Sequence, residues 1–100
     1  MIVIAGTVTI KPEQREKAVL ASLKMVAATK KEAGCRTYDF WQDLNDPNRF
    51  HVFEEWDSQA HLEAHFATTH MAEFLAGLPM LVAGPADIKR YEVGAVSQLG

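Results

Sequence analysis

The sequence has a single cysteine, Cys35, so no disulfide can form within the chain. Such a cysteine is ordinarily a small buried side chain. Runs of lysine and arginine are also missing. The 10 basic and 13 acidic side chains are interspersed, and the net charge is -3. That excludes the basic footprint of a nucleic-acid binder and of a protein held on an anionic membrane. There is no glycine-rich phosphate loop and no cofactor motif. The N-terminal "MIVIAGTVTI" is apolar, but it is too short to span a bilayer and has no basic flank. With neither a leader nor a disulfide, the expected compartment is the cytoplasm. No repeat or low-complexity segment interrupts the chain.

What is present suits one soluble domain: 100 residues, 48% hydrophobic and 23% charged. Residues 1–93 read as that domain and 94–100 as a tail. A core this small leaves much surface exposed, and a leftover apolar sheet face would favour a homodimer.

Period-two alternation marks the first strand, over residues 2–10. Ile2, Ile4, Val8 and Ile10 share one face, which Gly6 interrupts. A glycine there marks a bulge or a close approach. Residues 13–32 read as a helix, with Pro12 in its first turn and Gly34 as its C-terminal cap. Its apolar stripe is Val19, Leu23 and Val26, flanked by Leu20 and Ala27. "CRTYDFWQDL" and "NRFHVFEEW" read as two strands joined at "NDPN". Phe50, Val52, Glu54 and Trp56 share one face of the second. One of the adjacent Glu54 and Glu55 must then lie on the helix-covered face, where Arg36, Arg49 or Lys89 would supply a partner. Ser58 caps a further helix, which should break at Thr68–Thr69, with Thr69 capping a new turn and Pro79 ending the helix or starting a short new turn. "ADIKRYEV" is the last strand. The order strand, helix, strand, strand, helix, strand predicts an α+β, ferredoxin-like fold with an antiparallel sheet. Helices cover one face. Trp41, Phe53 and Tyr91 lie on the bare one.

"EEWDSQAHLEAHFATTH", residues 54–70, carries three of the four histidines. His61 and His65 stack about 40° apart on a helix and could share a zinc ion. However, "HLEAH" lacks the metalloprotease glutamate and no third ligand is evident, so no metal is expected. A half-exposed, solvated place suits His61. A break at Thr68–Thr69 would bring His65 and His70 toward one cavity. Histidine titrates near neutrality and can take a proton from a phenol or enol. Phe40, Phe50, Trp56, Phe66, Met71 and Phe74 would wall such a cavity or simply form the core. Periodicity does not choose between the two.

One ordered set of motifs runs through residues 32–74: Glu32-Ala33-Gly34-Cys35, Tyr38-Asp39, Asp46 to Phe50, Glu54 to Trp56, and Ala64-His65 to His70. Taken together, it resembles the antibiotic biosynthesis monooxygenase family, and "SQAHLEAHFATTHMAEF" is similar to its quinol monooxygenase branch. The resemblance implies a dimeric α/β barrel, with two ferredoxin-like subunits packed sheet to sheet. It implies oxidation of a quinol or polycyclic phenol by molecular oxygen, with no metal or flavin. His65 and His70 become candidates for base or hydrogen-bond donor, and Trp56 and Tyr38 for the pocket. Val52 stands where some polyketide-oxidising members carry asparagine. Gly6 and Thr7 stand where the haem-degrading branch has asparagine, so haem cleavage is not expected. The family also includes an isomerase of a small phosphorylated ketone. That activity and a non-catalytic binding module are the alternatives.

Overall fold

The computed structural model describes residues 1–100 and has the expected element order. Strand β1 is Ile2–Thr9, helix α1 Arg15–Thr29, β2 Cys35–Gln42, β3 Arg49–Trp56, α2 Gln59–Phe66, α3 Thr69–Leu81 and β4 Asp87–Glu92. A 3₁₀ turn, Pro12–Gln14, leads into α1. The sheet order is β2-β3-β1-β4, and every pairing is antiparallel. This is the ferredoxin-like α+β fold.

Alternation decides which face is covered. Ile2, Ile4, Val8, Phe50, Val52, Glu54, Trp56 and Tyr38 are all buried beneath the helices. Two apolar clusters result. Ile2, Ile4, Met25, Tyr38, Trp56 and Leu62 form one; Val8, Ile10, Ala18, Phe50 and Leu81 form the other. On the bare face Trp41 and Tyr91 stay about half exposed, at 51% and 47%.

The β2–β3 hairpin closes through side-chain acceptors, as its turn residues imply. Asp43 Oδ1 accepts from the Asn45 amide, and Asp46 Oδ1 from the Asn48 amide. Gly6 is a place of close approach. A Cβ there would overlap the Asp87 carbonyl oxygen and Ile88 Cα of the neighbouring strand.

Four local expectations are corrected. The first helix starts later and stops at Thr29, so Gly34 is not its cap. Gly34 instead turns the chain into β2 at a φ of 77°, and the His61 ring occupies the space a Cβ would need. The buried stripe of α1 is Ala18, Ser22, Met25 and Thr29; Val19 and Val26 pack half-buried against the core as expected, while Leu20 and Leu23 are exposed. The break between α2 and α3 is where it was expected, but Thr68 is the cap. Its Oγ1 accepts from the Met71 amide and donates to the His65 carbonyl. Pro79 neither ends α3 nor starts a new turn; it lies within the helix, which runs on to Leu81. No helix is long and apolar enough to cross a membrane.

Candidate active site

The break between α2 and α3 sets the geometry of the histidines. On one straight helix, residues five apart would point about 140° away from each other. The cap at Thr68 redirects the chain, and both rings reach Glu32, in the turn after α1. Glu32 Oε2 lies 2.8 Å from His65 Nδ1 and 2.7 Å from His70 Nε2. One carboxylate oxygen therefore ties three segments together. His65 is 1% exposed, and its other nitrogen, Nε2, has no partner. Its ring lies against Trp56, with centroids 4.8 Å apart and planes 35° apart. Tyr38 and Phe66 sit at 5.5 and 5.7 Å.

Glu32, His65 and His70 also form a donor set for a divalent ion, with ligand atoms within 4.8 Å of one another. The sequence showed no third ligand, and the fold supplies one. The histidines that could share an ion are His65 and His70, not His61 and His65. His61 turns away, and its Nδ1 lies 2.8 Å from the Ser58 hydroxyl.

Between the sheet and α3 lies a cavity of about 490 Å³, within the range of small-molecule sites. Tyr38, Phe40, Phe66, Met71 and Phe74, expected at a substrate site, all line it. The loop Gly84–Pro85–Ala86 and Ile88 close one side. Two expected wall residues lie elsewhere. Trp56 is fully buried behind the wall, and Phe50 belongs to the second core cluster, facing a hollow beside α1. Neither His65 nor His70 lines the cavity. His70 borders a separate small hollow beside Lys24 and Glu73.

Glu54 does line the cavity. It is only 7% exposed, and no cation meets it. Arg36 pairs with Asp57 and Lys89 with Asp87, while Arg49 is exposed at the start of β3. The expected ion pair is therefore replaced by a neutral donor. Trp56 Nε1–H donates to Glu54 Oε1 at 3.0 Å. Burial pushes the Glu54 carboxyl up to about 7 from the ordinary 4.5; the Trp56 hydrogen bond opposes this and the Glu32 charge adds to it. Burial, then the Glu54 and Glu32 carboxylates, raise the Tyr38 hydroxyl well above its usual range. The "E-x-W" spacing was the signal for this pair. Two residues apart on a strand, both side chains share the covered face.

Residues 1–77 match the family described as antibiotic biosynthesis monooxygenase. The chain is 36% identical over 98 residues to the uncharacterised protein sll1783 of Synechocystis, covering 98% of this chain and 67% of that one. It is 32% identical over 84 residues to the "probable quinol monooxygenase YgiN" of Escherichia coli, covering 74% and 81%. A Deinococcus radiodurans crystal structure titled a "putative antibiotic biosynthesis monooxygenase" superposes with a TM-score of 0.91 at 27% identity, over 100% of both chains. The motifs, the fold and these matches agree: the chain belongs to the antibiotic biosynthesis monooxygenase family.

Proposed function

We propose that the protein is a cofactor-independent monooxygenase that oxidises a quinol or polycyclic phenol with molecular oxygen. The observation that carries this reading is the aromatic-walled cavity with one carboxyl on its wall. The name of the Escherichia coli relative, a probable quinol monooxygenase, supports the substrate class. An anionic phenol or quinol can give one electron to triplet oxygen, and the two radicals then combine. The protein's part is to bind, deprotonate and shield the substrate.

Within this reading His65 and His70 are positioning residues. Each has a nitrogen committed to Glu32, and His65 packs on the indole that holds Glu54. No lysine, arginine or histidine lines the cavity, which leaves a phosphorylated ketone without an anchor. A binding module would fill the cavity without turnover.

The reading includes a homodimer packed sheet to sheet. The bare face offers an open concavity bordered by Trp41, His51 and Phe53. A monomeric mass by light scattering at micromolar concentration would refute that part.

Oxygen uptake tests the function. Naphthoquinols and anthrones are supplied at neutral pH with chelator, each against its own protein-free autoxidation. Saturable uptake above background is expected. No uptake across the panel would sink the oxygenase reading.

A further inference from the structure

The geometry points to Glu54 as the base that takes a proton from a phenolic hydroxyl bound in the cavity. This inference rests on the oxygenase reading for its substrate, and on four observations for the residue.

First, Glu54 reaches the wall by strand alternation, between Val52 and Trp56 on the covered face of β3. Second, only one of its oxygens is occupied. Oε1 is fixed by the indole, whereas Oε2 has no partner in the protein and is not sealed from the cavity. Third, no cation compensates the carboxylate, and ions in such places are costly to bury. A glutamine amide oxygen would accept the same indole hydrogen bond without that cost. Fourth, the alternative bases lie outside the cavity. His65 and His70 hold Glu32 and do not line the cavity.

The groups around Glu54 favour a base rather than a fixed anion. From β1 its register partner is Ile4, which is apolar. From β2 come Tyr38, its register partner, and Cys35, whose thiol is itself pushed up to about 11 by burial and then by Glu32 and Glu54. From the turn after α1 comes the Glu32 charge, and from α2 His65, which is turned toward Glu32. From α3 the wall is apolar: Met71, Phe74, Leu75 and Leu78. Burial and the Glu32 charge hold the proton affinity of Glu54 near neutrality, where a base is both ionised and strong enough to act.

The step balances. The phenolic O–H bond breaks, its electron pair stays on the substrate oxygen, and the proton passes to Oε2. The cavity holds one negative charge before and after, so an apolar wall does not oppose the transfer. The protonated carboxyl can then donate a hydrogen bond to the phenolate. Tyr38 keeps its own proton throughout.

Two measurements on the full-length protein test this. The first is oxygen uptake by wild type, Glu54→Gln and Glu54→Asp. The amide should lower kcat by at least about a hundredfold and remove the acidic limb of its pH profile. The shorter acid should retain part of the rate. Wild-type rates in Glu54→Gln would overturn the assignment while leaving the oxygenase reading intact. The second measurement does not depend on turnover. p-Nitrophenol, which is not oxidised under these conditions, is bound in mildly alkaline buffer and followed by infrared difference spectroscopy. A protonated-carboxyl band that appears on binding, with the bound ligand still yellow, is expected in wild type and not in Glu54→Gln. If that band appears but no quinol is oxidised, Glu54 is the base and the oxygenase reading fails. If Glu54 stays ionised beside the ligand, the assignment is wrong.

Discussion

Replacing Glu54 with glutamine should make the protein more stable, and only above a defined pH. In the unfolded chain the carboxyl titrates at its ordinary 4.5; in the folded protein it titrates at about 7. The folded state therefore resists ionisation. Below 4.5 the group is neutral in both states, and its burial carries no ionic penalty. As pH rises from 4.5 to about 7, the unfolded chain ionises and the folded one does not, so stability falls. Above about 7 the penalty is constant. Each tenfold change in proton affinity is worth about 1.4 kcal/mol, so the full penalty is roughly 3 kcal/mol. Glu54 is only 7% exposed, so solvent screening does not reduce it much. Glutamine has no proton to lose and keeps an acceptor for Trp56 Nε1–H. Urea unfolding of both proteins, at one protein concentration and across this pH range, gives the difference. It should be near zero at the acid end and reach roughly 3 kcal/mol in favour of Glu54→Gln above neutrality. A difference that does not vary with pH, or a more stable wild type in alkali, would refute the reasoning. Stability gained alongside turnover lost is the pattern of a functional carboxyl.

Three other outcomes follow from the same contacts. Trp56→Phe removes the one donor to Glu54, so the carboxyl should titrate above its present value of about 7, read by infrared titration; the space left and the lost bond should cost about 2 kcal/mol. Gly6→Ala puts a Cβ into the backbone of the β3–β1–β4 region at Asp87 and Ile88, and should loosen β4 at a cost of about 2 kcal/mol or more, with faster amide exchange in 87–92 than elsewhere in the sheet. Alanine at both His65 and His70 should lower turnover and also shift the pH profile, because the support behind Trp56 is gone; unchanged turnover would remove these residues from the mechanism.

How much of this was legible depended on the range of the signal. The strands were readable because alternation is local: Ile2, Ile4, Val8 and Ile10 occupy the face their spacing assigns. The hairpin and the α2–α3 break were written in turn and cap residues. The buried face of α1 was not readable by size. Leu20 and Leu23 point outward, while the smaller Ala18, Ser22 and Thr29 share the buried face with Met25. Glu32 lay within a recognised motif, yet nothing local joined it to histidines 33 and 38 residues away. Only the packed fold makes that link. The partner of Glu54 was sought among cations because burial of a charge demands one. The structure meets that demand differently, with an indole and a raised proton affinity. Phe50 and Trp56 share a strand face with the cavity wall. Where the cavity ends along β3 is set by α3 and the loop after it, which strand periodicity does not encode.

Oxygen insertion into a substrate bound in this cavity can be followed with isotopically labelled oxygen. Anthrone and molecular oxygen balance as anthraquinone plus water: one oxygen atom enters the product and the other leaves as water. With chelator present and labelled oxygen supplied, the account predicts one labelled atom in the protein-dependent product by mass spectrometry. Unlabelled product with release of peroxide would mean simple dehydrogenation and would contradict it.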